Sequence, residues 1–370
     1  MALVTRLQAS NKQETANDIT RNLSSLQFES ALTDEEKCLI DMRTRNHAIS
    51  VTQCALITSA IDIFSRARDA KLRQMNPGKQ RSTNILQDES ERDTLIVGII
   101  GCGRLGSQIA HCLLTYGQLH PSKLHISTRR PETLEYLQHK GVECYFNNER
   151  LVSTAHVVIF CVLPSQMPGV CEDIKEHISS SLVLLCAFSS LTLRRLRQML
   201  GSSNVIQPKL HWKEDVTNVN YNYSLNVNMA LESRETVLGT CPIGVEKEEF
   251  VVSADERVAE SIVLAVTNMC AESGLNRNQT LSVIHTAVFG ETHKKPLTCD
   301  RLSVKDFGLR ESETGQEKPF PFYDLVDAHE KGTPLLKTLT KNVSIQEAFV
   351  KKYTSLFEDY IHKRAYGQLP

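Results

Sequence analysis

The sequence has no surplus charge of either sign: 42 lysines and arginines face 43 aspartates and glutamates, a formal net charge of −1. No global field draws the chain to nucleic acid or to an anionic membrane, so any partner must be recognised locally. Long apolar runs are missing too; none approaches the roughly 18 to 20 residues that cross a bilayer, and no membrane partner is expected. The opening, MALVTRLQASNKQETANDITRNLSSLQFES, lacks the uninterrupted apolar core of a secretory signal. Arg6 and Arg21 would suit a transit peptide, whereas Glu14, Asp18 and Glu29 argue against one. A cytoplasmic location is expected, with the mitochondrion as the alternative.

No C-x-x-C pair occurs among the 11 cysteines, whose number is odd and which are scattered from Cys38 to Cys299. That excludes a disulfide framework and a zinc ribbon. Most lie in apolar runs such as VVIFCVL and LVLLCAF, where cysteine acts as a small hydrophobe, and they point to a reducing, intracellular compartment. A Walker loop, a Ser-His-Asp order and a metal-ligand cluster are absent as well. His285 and His293 join no cysteine or carboxylate pattern, so no metal is expected. The cations of LRRLR, Leu193 to Arg197, stand at helical spacing without aromatic partners and read as a solvated helix face.

What is present suggests two or three folded units without internal repeats. Residues 1–93 read as an α-helical extension of one or two helices followed by a polar linker. Thr33 and Glu36 form a capping box, apolar residues recur from Leu39 to Ile63, and NPGKQRSTNILQDESERD breaks the pattern. Residues 94–210 alternate short apolar runs (TLIVGII, KLHIST, HVVIFCVL, SLVLLCAF, then NVIQPKL) with amphipathic segments. This is the signature of α/β architecture, a Rossmann-type doubly wound parallel sheet. Residues 211–370 read as a mainly helical C-terminal domain for substrate and dimerisation. It has two helices within SADERVAESIVLAVTNMCAESGLNRNQTLSVIHTAVFG and a last one from about Ser344 to Ala365. The N-terminal helices offer a face for a protein partner.

The stretch GIIGCGRLG places Gly101, Gly103 and Gly106 in a G-x-G-x-x-G directly after a strand and at the start of a helix. The first glycine permits a tight turn, the second lets backbone approach a pyrophosphate, and the third lets helix and strand pack closely. Cys102, Arg104 and Leu105 belong to the same loop, and the anion would lie on the helix N-terminus. A Gly-rich turn of a doubly wound fold that binds something else is the alternative. The second strand ends in Ser127, Thr128, Arg129 and Arg130, with no carboxylate for a free ribose. Two hydroxyls and two guanidiniums suit a 2′-phosphate, which favours NADP over NAD. The other reading of the arginines is a solvated loop ahead of Pro131.

The block from Leu95 to Leu210 resembles the pyrroline-5-carboxylate reductase family in its glycine loop GIIGCGRLG, in AHVVIFCVLPSQMPGVCEDI, in LLCAFSSLTLRRLRQML and in NVIQPKL. The resemblance implies NADP at Gly101 to Gly106 and at Ser127 to Arg130. It places Val162, Leu163 and Pro164 beneath the ribose and nicotinamide, with Ala187, Phe188 and Ser189 opposite. Leu163 and Phe188 also read as core, and Pro164 as a strand terminator. The resemblance further implies a homodimer interlocked through the C-terminal half. The chain departs from the family at Ser190, where the family has glycine, and at Lys209 and Leu210, where it has Asn-Thr. A Ser-Gly-Ser-Gly-Pro-Ala run that would hold a substrate carboxylate is missing, with Thr286 and Gly290 in the nearest region.

Hydride transfer needs a donor for the developing charge. His211 and Thr286 are the foremost catalytic candidates, with Tyr221, Tyr223 and His285 as further donors and Lys209 and Lys213 able to meet a carboxylate. His285 reads rather as a core or interface histidine, and Trp212 as a seal at the domain junction. Two functions follow: an NADP-dependent oxidoreductase acting on a small imine or carbonyl substrate, or a catalytically weak NADP-binding protein that senses or scaffolds.

Overall fold

The computed structural model describes residues 33–75, 94–213, 221, 225–244, 250–292, 300–309 and 317–367. Helix α1 (Asp34–Met75) opens it. The nucleotide domain follows as β1 (Val97–Ile100), α2 (Arg104–Thr115), β2 (Leu124–Ser127), α3 (Glu135–Gln138), β3 (Glu143–Tyr145), α4 (Asn148–Thr154), β4 (Val157–Phe160), α5 (Met167–Ile174), β5 (Val183–Cys186), α6 (Leu193–Leu200) and β6 (Val205–Ile206). The remainder holds β7 (Leu210–Trp212), α7 (Val227–Leu231), α8 (Arg234–Thr240), β8 (Val252–Ala254), α9 (Arg257–Glu272), α10 (Arg277–Val288), α11 (Leu325–Lys331), α12 (Pro334–Lys341) and α13 (Val343–Ala365).

The six strands β1 to β6 form one parallel sheet in the order β3-β2-β1-β4-β5-β6, the Rossmann order with its reversal between β1 and β4. Alternate residues serve the two faces. Val97 and Ile99 pack with Ile109 and Leu113 of α2, while Ile100, Val158 and Phe160 pack with Leu151, Met167 and Leu196 of α4, α5 and α6. Burial on both faces is why these strands read as continuous apolar runs. Two elements escape that pattern: β3, three partly exposed residues at the sheet edge, and the two-turn α4, capped by Asn147 onto Arg150 N at 2.8 Å.

Among the described residues, the extension is one long helix, within the expected one or two. Its capping box forms as expected, with Thr33 N donating to Glu36 Oε2 at 2.8 Å and Glu36 N to Thr33 Oγ1 at 3.3 Å. Further along, Cys54, Ala55, Leu56 and Ile57 are all buried in succession, so the helix is covered on several sides rather than on one stripe. It packs against α10 and α2 and touches α7, α8, α9 and α13. The described part of the extension therefore shares a single core with the other two segments, and its buried faces are occupied by this chain itself. An 18-residue window within Glu35–Met75 reaches mean hydropathy 1.4, long and apolar enough to cross a membrane. This corrects the expectation that no such stretch exists: Thr52, Gln53, Thr58 and Ser59 interrupt the apolar run without lowering its average enough. Of that window, 72% is buried inside the protein.

Asp62 of α1 binds Lys352 of α13 at 2.8 Å, with side chains only 12% and 7% exposed. Burial pulls the Lys352 ammonium below the ordinary lysine value, and the Asp62 carboxylate works against that pull. Trp212 does not seal a domain junction; it sits on the two-stranded antiparallel sheet of β7 and β8, 58% exposed. The LRRLR helix face is not simply solvated, because Arg194 pairs with Glu330, and Arg197 with Asp324 and Asp327, at the α11 end.

Two buried histidines set a pH dependence. His285 of α10 lies against Phe289, Glu291 and Arg301, and its Nε2 sits 3.3 Å from Leu302 O. His329 of α11 faces Lys209, Asp255, Arg257 and Glu330. Burial holds both below the ordinary value of 6.5. The folded state thus binds fewer protons than the unfolded state, and their contribution to stability is full above that value and lost as pH falls below it. Thermal melts between about pH 7 and about pH 5 should show falling stability, and His329→Gln should flatten the slope. An unchanged slope would remove His329 from the account.

Candidate nucleotide-binding site

A cleft of about 710 Å³ opens at the carboxyl ends of β1, β2, β4 and β5, the place where open α/β sheets bind ligands. Its floor is the glycine loop. Gly101 has φ +88°, and a Cβ there would stand 2.6 Å from Val162 Cγ1 and 3.1 Å from the Cys161 carbonyl group. A Cβ on Gly106 would stand 2.4 Å from Gly101 O, so only glycine lets α2 lie this close to β1. Gly103 is different: nothing lies within 4 Å of where its Cβ would be, which leaves open space over the loop. Gly103 is also the N-cap of α2 and gives it no side-chain cap. The first N–H groups of a 12-residue helix and its positive dipole end therefore face that space, an arrangement that suits an anion.

Most of the residues expected from the sequence line this one cleft: Gly101, Cys102, Gly103, Arg104 and Leu105 from the loop, Ser127 to Arg130 after β2, Val162, Leu163 and Pro164 after β4, and Ala187 after β5. Gly106 lies behind the lining and acts through packing. Arg129 and Arg130 are exposed, and among the described residues neither guanidinium has a partner. Arg104 adds a third cation to the same wall.

Ser127 needs a correction. It is buried, its hydroxyl donates to Asn148 Oδ1 at 2.8 Å, and the oxygen accepts from Asn147 N at 3.2 Å. A hydroxyl carries one proton, so Ser127 has none left for a phosphate. It ties the end of β2 to the start of α4 instead, and Asn148 continues the chain to Asp173 Oδ2 at 3.0 Å. Thr128 donates its N–H to Tyr145 O at 2.9 Å and lines the cleft.

Leu163 is 64% exposed, which removes its reading as core. Pro164 does end the strand segment, beginning a short turn closed by Gln166 N to Leu163 O at 2.8 Å, and it lines the cleft as well. Phe188 lines the cleft while packing on the core behind it; Ser189 is exposed and outside the lining. Burial pushes the Cys102 and Cys161 thiols up, so neither is a thiolate at neutral pH.

The structure does not bring the catalytic candidates to this cleft. His211 lies on β7, paired with Asp255 at 3.6 Å, and Thr286 lies half-buried on α10. His285 is a core histidine. Tyr221 binds His47 Nδ1 at 2.8 Å, and Tyr223 and His293 lie outside the described residues. Sequence reasoning missed Phe146, Asn148 and Asp173. Phe146 is 64% exposed at the cleft wall. The alternation in GVECY followed by a capping Asn147 was the available signal for that segment.

Residues 96–187 match the family model described as NADP oxidoreductase, coenzyme F420-dependent. The chain is similar to the mouse (Mus musculus) NADP-dependent oxidoreductase domain-containing protein 1, with 27% identity over 92% of this chain and 93% of that protein. It is similar to pyrroline-5-carboxylate reductase 1 of Dictyostelium discoideum over 104 residues, 28% of this chain and 19% of that one, at 28% identity. Among solved structures, the Plasmodium falciparum pyrroline carboxylate reductase with NADP bound aligns over 72% of this chain and 97% of its own, with 14% identity and a TM-score of 0.28.

Proposed function

We propose that this chain, built on a nucleotide domain of the NADP oxidoreductase kind, is an NADP-dependent oxidoreductase that reduces a small imine or carbonyl compound. One observation carries the reading: a single cleft joins an uncapped helix N-terminus over an open glycine to two unpartnered arginines at the end of β2. Both features are donor sets for phosphate, and they line one wall where a dinucleotide carries its pyrophosphate and its 2′-phosphate. The dinucleotide would supply hydride at its nicotinamide C4.

Each residue then has a task. Gly103 and the first turn of α2 hold the pyrophosphate, and Thr128, Arg129 and Arg130 hold the 2′-phosphate. Phe146 offers its exposed ring to the adenine. Val162, Leu163, Pro164 and Phe188 keep water from the reacting end, where exclusion of water strengthens every polar contact. The free thiols among the described cysteines fit a reducing compartment.

A second reading is favoured by one feature. The wall formed by Val162 to Pro164 and by Ala187 and Phe188 carries no titratable side chain. Among the described residues this wall offers no proton donor, and without one at the reacting end the protein binds NADP and acts weakly or as a sensor. A homodimer belongs to the first reading, and sedimentation of the purified chain tests it.

Because a ligand that binds only the folded state raises stability by RT ln(1 + [L]/Kd), NADPH at about 100 times its Kd should add about 2.7 kcal/mol, and NADH at the same concentration much less. A thermal titration reads this directly. No shift with either nucleotide would sink both readings. A shift with NADPH, followed by oxidation of bound NADPH in a screen of cyclic imines and carbonyls, separates the enzyme from the binder.

A further inference from the structure

The loop that leaves β5 faces the cleft at Ala187 and Phe188, and its backbone is held by two glutamine carboxamides from opposite directions. Gln207, buried just after β6, donates Nε2 to Phe188 O at 2.8 Å and to Leu191 O at 2.9 Å. Gln53 comes from α1, 134 residues earlier in the chain, and donates Nε2 to Ala187 O. It lies half-buried near the middle of α1, in a stretch whose other side chains from Val51 to Ile61 are all buried. A polar side chain in such a run costs desolvation unless it is hydrogen-bonded, and the partner it finds is a carbonyl of the cleft wall.

We propose that Gln53 is a positioning residue of the nucleotide site: through Ala187 it fixes the backbone against which the nicotinamide half of NADPH binds, making α1 a structural part of that site. The inference rests on the NADP reading. Its physical basis is the way the backbone after β5 is held. Ala187 N donates to Phe160 O at 3.1 Å, which anchors one side of the residue; Gln53 anchors the other. Loss of the second anchor releases the Ala187 carbonyl, at one end of the cleft only, while Gln207 still holds Phe188 O. The arginines and the glycine loop stand on other strands and keep their geometry.

The test separates the two halves of the dinucleotide. In Gln53→Met, which keeps length and removes the donor, loss of one hydrogen bond should raise the Kd for NADPH about fivefold, while adenosine 2′,5′-bisphosphate, which lacks the nicotinamide, should stay within about twofold. Gln53→Glu keeps size and polarity but sets an acceptor against the carbonyl, and should show the same split at least as strongly. Equal weakening of both ligands, or unchanged NADPH affinity in both variants with unchanged melting, overturns the proposal. If the unsubstituted protein binds neither ligand, the NADP reading itself fails and this inference fails with it.

Discussion

Replacing Arg129 and Arg130 together with alanine should weaken NADPH binding by about a hundredfold or more and leave NADH within about threefold, since each charge-assisted hydrogen bond contributes about 1.5 to 3 kcal/mol. Neither guanidinium has a partner among the described residues, so their removal strands no buried counter-charge and should not move the melting temperature of the free protein. The effect should shrink in high salt, because both groups are exposed and the attraction is screened over about 8 Å at physiological ionic strength. NADH lacks the 2′-phosphate and would use the rest of the cleft without calling on the two arginines. Isothermal titration with the two nucleotides decides the matter: an equal loss for both would place the arginines in a general anionic field rather than on the 2′-phosphate.

The second large effect concerns stability. Asp62→Ala leaves the Lys352 ammonium buried without its carboxylate and should cost about 3 to 5 kcal/mol. Replacing both partners, Asp62→Leu with Lys352→Met, should recover most of that loss, because two charges then no longer have to be desolvated. The double variant thus distinguishes a stranded charge from a disturbed packing contact. Denaturant titration of the two variants measures it, and a cost below about 1 kcal/mol for Asp62→Ala would show the site to be wet and the pair weak. The bond matters because it joins the first described helix to the last described one.

The nucleotide domain was legible because its signals are local. The strand VGII, the three glycines and the helix RLGSQIAHCLLT lie within 19 consecutive residues, from Val97 to Thr115, and each has its own physical reason. The edge of the sheet was less legible: ECY is short and partly exposed, so no apolar run announces β3, and Phe146 and Asn148 were lost with it. The Ser127 correction has a similar origin. Its position at the end of β2 is written in the sequence, but its proton is claimed by Asn148, 21 residues away, and no local pattern records that bond. The role of α1 was the least legible, because burial on several sides by α2, α10 and α13 is a property of distant segments. Its apolar content was visible in Ile57, Ile61 and Ile63, but read as an extension it gave no reason to expect Gln53 at the cleft.

That arrangement has a consequence for how the protein is made. Synthesis delivers α1 before α10 and α13, which cover it and come more than 200 residues later. Until they emerge, the helix has no native partner for much of its apolar surface, and it closes the contact of Asp62 with Lys352 only after a further 290 residues. Long-range closure of this kind slows folding and prolongs the exposure of sticky surface. The helix that braces the finished nucleotide site is therefore the segment of the nascent chain most in need of shelter.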